Sequence, residues 1–240
     1  MKAEGKNPVK ELINSGENIE KIMIVNGTTD VDLRNIQKLA RDKGLKVEFA
    51  DRRALDKVSE TGHHQGVIAI YSDFKYADLK TVVRQTKQEG KDILFVVLDE
   101  VLDPHNLGSV IRVAECAGAT GVVIPNRRSA TVNETVIRTS AGATAYMPVI
   151  KVSNLNQAIE EMKKENIWVY AADMDGSDMY KTNLKGDIAI VVGGEGTGVK
   201  QLTRKLCDGI ISIPMFGKVN SLNASVSAGI VLYEAVRQRM

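Results

Sequence analysis

From Ile93 onward, short apolar runs alternate with stretches whose apolar residues recur every third or fourth position. The runs Ile93–Leu98, Gly121–Ile124, Met147–Val152, Trp168–Ala172, Ile188–Val192 and Gly209–Ile213 read as strands. Between them, Gly108–Ala117, Asn133–Thr139, Leu155–Glu165 and Lys200–Leu206 carry helical spacing, and Val226–Val236 is an apolar, alanine-rich C-terminal helix. Near-continuous apolar strands alternating with amphipathic helices predict an α/β fold, with a mostly parallel sheet covered on both faces.

Residues 1–73 predict a small α/β unit of their own. Ile22–Val25 reads as a strand, and Asp32–Lys43 as a helix with Leu33, Ile36, Leu39 and Ala40 on one face. Gly44 stops that helix. A strand at Leu45–Phe49, a short helix at Arg53–Glu60 and a strand at Gly66–Tyr71 complete the unit. The polar stretch 74–92, with a helix over Ala77–Gln88, is the expected boundary. The larger domain then spans 93–240, with no internal repeat.

The 240 residues carry 32 Lys and Arg against 30 Asp and Glu, so any nucleic-acid contact must come from a local basic patch. Cys116 and Cys207 fall in apolar helical contexts without metal-ligand spacing, and both are expected to be buried free thiols of a reducing compartment. No run approaches the ~20 apolar residues of a membrane span, and Met1–Lys6 lacks the apolar stretch of a signal peptide. A soluble, cytoplasmic protein is expected. No plausible set of metal ligands stands out.

The candidate chemistry gathers near the C-terminus. Val191-Val-Gly-Gly-Glu-Gly-Thr-Gly198 and Ile211-Ser-Ile-Pro-Met215 are strand ends that open into loops, and Asn220-Ser-Leu-Asn-Ala-Ser225 leads into the last helix. Strand ends of this kind expose backbone N–H and C=O groups to small ligands. The dinucleotide fingerprint fails, because Val199 stands where its last glycine belongs, which argues against a nucleotide-dependent oxidoreductase. The P-loop fails too, because Gly198 is followed by Val199 and not by lysine. Glu195 would repel a pyrophosphate and suits a ligand with donors or positive charge. An arginine at position 112, near the start of the helix expected from Gly108, opposes the helix dipole and calls for an anionic partner.

These three stretches, with Leu98-Asp-Glu-Val-Leu-Asp-Pro-His-Asn-Leu-Gly-Ser-Val-Ile-Arg112, resemble in order the motifs of the SpoU (TrmH-type) RNA 2′-O-ribose methyltransferases of the SPOUT superfamily. Glu4-Gly-Lys-Asn-Pro-Val9 and His64-Gln-Gly-Val67 further resemble the small substrate-binding domain of the RlmB-like subgroup. The resemblance implies a trefoil knot in the C-terminal domain, whose crevice holds S-adenosylmethionine. It also implies a homodimer packed through the knotted domains, for which Val226, Ile230, Leu232 and Tyr233 are candidate contacts unless they are core.

For the site, the resemblance implies catalytic roles for Asn106, Arg112, Glu195, Ser221 and Asn223. Glu195 would hold Asn106 or Arg112 in place. Asn223 would position the ribose hydroxyl and Ser221 would shape the site, although either could cap the following helix, as Ser225 is expected to do. Gly193, Ile213 and Leu222, with Gly194, Pro214 and Met215 nearby, would hold the cofactor. Guanidinium rarely gives up its proton, so Arg112 suits a phosphate clamp better than a base.

Arg127, Arg128 and Arg138 in the large domain are candidate RNA contacts, as are Lys6, Asn7, Arg52, Arg53, His63 and His64 in the small one. The implied substrate is a guanosine in large-subunit (23S) ribosomal RNA. Transfer RNA with the same chemistry and a non-catalytic RNA-binding protein of the same fold are the alternatives.

Overall fold

The structure is a computed structural model that describes residues 1–72, 74–219 and 221–240. The sequence-based cut at Asp73 and the first residue of the Asn220–Ser225 motif lie outside the described residues. The chain forms two compact units, Met1–Lys75 and Tyr76–Met240.

The first unit comprises β1 (Lys2–Glu4), α1 (Lys6–Ser15), β2 (Asn18–Val25), α2 (Val31–Asp42), β3 (Val47–Ala50), α3 (Arg52–Val58) and β4 (Val67–Ser72). The strands lie in the order β1-β4-β2-β3, with β2 and β3 parallel and the other pairs antiparallel. Alternation along β2 decides the packing: Ile22 and Ile24 join Val9 and Ile13 of α1 and Leu33, Ile36 and Ala40 of α2, whereas Met23 faces Leu55 of α3. Helix α1, which the sequence reading omitted, places Val9, Leu12 and Ile13 at helical spacing around Pro8.

Polar side chains fasten this unit from inside. Lys6 reaches Asp30 at 2.5 Å and Asp32 at 3.4 Å, and Asp30 also caps α2 through the N–H groups of Asp32 and Leu33. His64 is 1% exposed; its Nε2 lies 2.9 Å from Asp56 and its Nδ1 accepts from the Gly66 N–H at 3.0 Å. The expectation that His64 lines an RNA surface is therefore corrected. Asp56 and the Gly66 amide occupy both ring nitrogens.

The second unit comprises α4 (Leu79–Gln88), β5 (Leu94–Asp99), α5 (Pro104–Cys116), β6 (Gly121–Pro125), α6 (Glu134–Thr139), β7 (Val149–Val152), α7 (Leu155–Lys164), β8 (Trp168–Asp178), β9 (Ile188–Gly193), α8 (Gln201–Leu206), β10 (Gly209–Ser212) and α9 (Ala224–Arg239). Its six strands are all parallel, in the order β10-β8-β9-β5-β6-β7. Phe95 and Val97 of β5 pack beneath α4 and α7, so Leu94, Val96 and Leu98 point to the opposite face. Helix α9 packs against α5 and β9. Helix α4 lies within the stretch 74–92, and its Leu79, Val82 and Val83 belong to the core of this unit.

Two expectations change here. Helix α5 begins at Pro104, not Gly108, with Asp103 as its N-cap and proline in the first turn. Asn106 is therefore inside the helix, and Arg112 lies in its second half, so the dipole argument for an anionic partner of Arg112 lapses. Cys116, at the last residue of α5, is exposed instead of buried, because the helix ends at the surface. Cys207 is half-buried, and burial pushes its thiol up to about 12.

Glu4 gives this fold a testable pH dependence. Burial alone would raise its pKa, but hydrogen bonds from the Ser59 and Thr61 hydroxyls and from the Glu60 and Thr61 amides outweigh burial and lower it to about 2. A depressed carboxylate pKa stabilises the fold above the unfolded value of about 4.5, and that contribution is lost as pH falls toward about 2. Circular dichroism between pH 7 and pH 2 should show Glu4→Gln less stable than the parent at neutral pH, with the difference vanishing at the acid end. A difference independent of pH would remove Glu4 from the acid response.

Candidate active site

The sheet order reverses between β5 and β9, since β6 and β7 continue on one side of β5 while β9 and β8 lie on the other. Asp99 at the end of β5 is in register with Gly193 at the end of β9. In parallel sheets such a reversal opens a crevice at the carboxyl ends of the strands, where ligands bind. The glycine loop 194–199 lies there.

This loop exists because glycine removes side chains where backbones meet. A Cβ on Gly193 would lie 2.0 Å from the carbonyl carbon of Gly198, and one on Gly194 would lie 2.4 Å from the carbonyl oxygen of Glu100. The Gly194 N–H donates to the Asp99 carbonyl at 2.9 Å, and the Gly198 N–H returns to the Gly194 carbonyl at 3.1 Å. The turn lifts Glu195 out of the sheet toward α5 and the start of α9.

Three side chains from three segments meet there. Asn106 donates through Nδ2 to Glu195 Oε1 at 3.1 Å. Asn223 donates through Nδ2 to the same oxygen at 2.6 Å and to Asn106 Oδ1 at 2.9 Å. Asn223 Oδ1 caps α9 by accepting from the N–H groups of Ser225 and Val226. Capping requires an acceptor, so the amide orientation is set: the oxygen faces the helix and the nitrogen faces Glu195. The cap is thus Asn223 and not Ser225, whose hydroxyl instead donates to Asn223 Oδ1 at 2.6 Å.

Helix α6 closes one flank of α5. A Cβ on Gly108 would come within 2.7 Å of Thr139 Cβ and 3.0 Å of the Val136 carbonyl oxygen. Gly108 therefore lets α6 press onto α5, and Thr139 Oγ1 comes to 3.4 Å from His105 Nδ1.

The remaining expected residues separate into two kinds. Arg112 is exposed and forms no hydrogen bond or ion pair among the described residues, so it lies outside the Asn106–Glu195–Asn223 junction. Ser221 is exposed as well. Gly194 is buried and Gly193, Ile213 and Pro214 are half-buried, while Met215 and Leu222 are each 39% exposed. Arg127, Arg128 and Arg138 are exposed, as are Asn7, Arg52, Arg53 and His63 in the first unit. Lys6 is held by Asp30 and Asp32 and is the least available of the basic candidates. Among the described residues, no group of three or more His, Cys, Asp or Glu side chains could hold a metal ion.

Sequence reasoning missed Asp99, Glu100 and Lys200, which border the glycine loop. Asp99 is 4% exposed and its Oδ2 accepts from the Lys200 N–H at 3.0 Å. A carboxylate ending a fully apolar strand was the available signal, because a buried charge needs partners.

Comparison with known proteins gives a consistent picture. The SpoU rRNA methylase family model matches residues 93–233, and a model for RNA 2′-O ribose methyltransferase substrate binding matches residues 2–77. A 23S rRNA (guanosine-2′-O-)-methyltransferase, RlmB, of Xanthomonas campestris is 42% identical over 95% of this chain and 92% of its own length. A Bacillus subtilis protein named for the TrmH family of tRNA/rRNA methyltransferases is 39% identical over 98% of this chain and 94% of its own. Among solved structures, the SpoU methyltransferase AviRb of Streptomyces viridochromogenes in complex with AdoMet superposes with a TM-score of 0.63 at 24% identity, covering 100% of this chain and 90% of that one.

Gly108→Ala provides a test of the α5–α6 contact. In an open helix interior this change stabilises by about 1 kcal/mol. Here the clash with Thr139 should reverse the sign and cost about 1–3 kcal/mol. Thermal melting reads the sign directly, and a raised midpoint would refute the contact.

Proposed function

The chain belongs to the SpoU rRNA methylase family, and on that premise we propose that it methylates the ribose 2′-hydroxyl of a guanosine in 23S ribosomal RNA. It is an S-adenosylmethionine-dependent RNA 2′-O-ribose methyltransferase. The choice of guanosine in 23S RNA follows the named activity of the Xanthomonas campestris relative. The observation that carries the site assignment is the junction of Asn106, Glu195 and Asn223 at the sheet reversal.

The loops around that junction fit the cofactor. Gly193 and Gly194 bring bare backbone to the crevice, and Met215 and Leu222 are apolar side chains left partly exposed beside it in sequence, suited to cover an adenine face. Gly193, Gly194, Ile213, Pro214, Met215 and Leu222 would hold it. S-adenosylmethionine supplies an electrophilic methyl on a sulfonium, so the protein has mainly to position and desolvate it.

The protein's own groups do the rest. Glu195 fixes the amides of Asn106 and Asn223, and Asn223 orients the attacking 2′-hydroxyl while Ser221 shapes the surrounding loop. Arg112, exposed on α5, holds the RNA phosphate beside that ribose in a bidentate grip. The proton released by the hydroxyl has two candidate acceptors beside it, that phosphate and the arginine itself.

The same reading extends to the rest of the molecule. The roles proposed are those of a small RNA-binding domain over 1–73 and a methyltransferase domain over 93–240, with the expected boundary 74–92 supplying α4 to the core of the second unit. The substrate-binding match over residues 2–77 supports the role of the first domain, where Asn7, Arg52 and Arg53 are exposed. Arg127, Arg128 and Arg138 offer further cations to RNA phosphates on the second. A trefoil knot in the second domain is proposed from family membership alone. A homodimer is supported by Val226 and Tyr233 on α9, exposed at 48% and 49%, whereas Leu232 is core. An RNA substrate, with no helix among the described residues long and apolar enough to cross a membrane, fits a cytoplasmic location.

Transfer RNA is the second reading, favoured by the tRNA/rRNA name of the Bacillus subtilis relative. Incubation with labelled S-adenosylmethionine and separate ribosomal and transfer RNA pools, followed by nucleoside mass analysis, should yield 2′-O-methylguanosine in 23S RNA. Label confined to transfer RNA would overturn the ribosomal assignment. Arg112→Ala should lower kcat by about 100-fold or more with cofactor Kd unchanged. Asn223→Ser keeps an N-cap acceptor but removes the amide donor, and it should cut kcat more than cofactor affinity; the opposite split would reassign Asn223 to cofactor binding.

A further inference from the structure

Both ends of the loop that carries Glu195 are fastened to Asp99, and the far end is fastened to Glu100 as well. On the near side, the Gly194 N–H donates to the Asp99 carbonyl at 2.9 Å. On the far side, the Lys200 N–H donates to Asp99 Oδ2 at 3.0 Å, and Lys200 Nζ pairs with Glu100 Oε1 at 2.5 Å. Glu100 takes up a positive φ of 60°, uncommon for a residue with a side chain, directly beneath Gly194. Its carboxylate side chain is 21% exposed, so solvent screens the pair less than it would a surface ion pair. Arg128 approaches the same oxygen at 3.4 Å but is 75% exposed, a weaker and more mobile second partner.

Nothing in the fold of the sheet demands this arrangement. Asp99 already pairs its backbone in register with Gly193, and β9 would stand beside β5 without either carboxylate. What the two carboxylates add is a closed circuit around residues 194–200, which sets how far Glu195 projects toward Asn106 and Asn223. An acceptor that orients two amides must be held to a few tenths of an ångström, and five loop residues rich in glycine cannot supply that by themselves.

We infer that Asp99 and Glu100 are positioning residues for methyl transfer: they clamp the two ends of the glycine loop, through Gly194 and Lys200, and so set the place of Glu195. They touch neither substrate nor cofactor and act through Glu195 and the loop backbone. The inference rests on the functional reading above for its effect on turnover, but the clamp itself can be measured without any substrate.

The test uses the full chain and the variants Glu100→Gln, Lys200→Met and Lys200→Arg, at a temperature well below their melting points. Hydrogen exchange of a peptide spanning 194–200 should quicken about tenfold in Glu100→Gln and Lys200→Met, and Lys200→Arg should restore most of the protection. Unchanged exchange overturns the clamp, whatever the enzyme's substrate. In the methylation assay, Glu100→Gln should lower kcat about tenfold, and it should lower it no further in a Glu195→Gln background, because both changes then act through one group. Equal losses in both backgrounds would overturn the positioning role. Faster exchange in these variants, from a parent that transfers no methyl to any RNA, would support the clamp and count against the functional reading alone.

Discussion

The structure of the larger unit depends on one place where backbones meet without side chains between them. At the sheet reversal, Gly193 passes Gly198 and Gly194 passes the carbonyl of Glu100 at distances that admit no Cβ. Parallel strands at such a reversal leave their terminal peptide groups facing a crevice, and glycine lets a loop fold back over it. Any side chain at Gly193 or Gly194 would push the loop away from β5 and move Glu195 with it. The place of Glu195 is thus set by backbone packing.

Around that point the molecule assigns each polar group a single job by using up its alternatives. Asn223 must offer its oxygen to the N-terminus of α9, which leaves only its nitrogen for Glu195. Asn106, 7% exposed within the first turns of α5, has its carbonyl taken by Asn223 and its amide by Glu195. Asn106 is buried and bonded through both ends of its amide, so turning it over would break both bonds at once. Arg112 contrasts with them: it is exposed and stands outside that junction.

The smaller unit shows the same economy in a different setting. Lys6 and His64, which in sequence look like cations for a nucleic acid, are spent on internal fastening: Lys6 joins the start of α1 to the cap of α2, and His64 joins α3 to the turn before β4. Glu4 likewise binds the 59–61 turn with hydroxyl and amide donors. Arg52 and Arg53 at the start of α3 are among the cations left outward. Residue type names what a side chain can do, but burial decides which of those capacities is left for a partner.

Much of this protein was legible in its sequence because the signals were local. The 2.0 and 3.6 periodicities follow from backbone geometry, so strands β5 to β10 and helices α2, α7 and α9 could be placed from the spacing of apolar residues alone. The glycine loop and the Asn223 segment were legible as chemistry because strand ends that open into such loops expose backbone groups, and because their motifs resemble a known family. Helix α1 escaped and α5 was started four residues late, although Pro8 and Pro104 both suit a first helical turn. Only the tertiary structure decided that Glu195 meets Asn106 and Asn223, that His64 faces inward, and that Asp99 and Glu100 fasten the loop. Those pairings join residues 89 and 28 positions apart at the Glu195 junction and 101 apart at the Asp99 clamp. Contacts at such separations are set by the order in which strands pack, which no local pattern encodes.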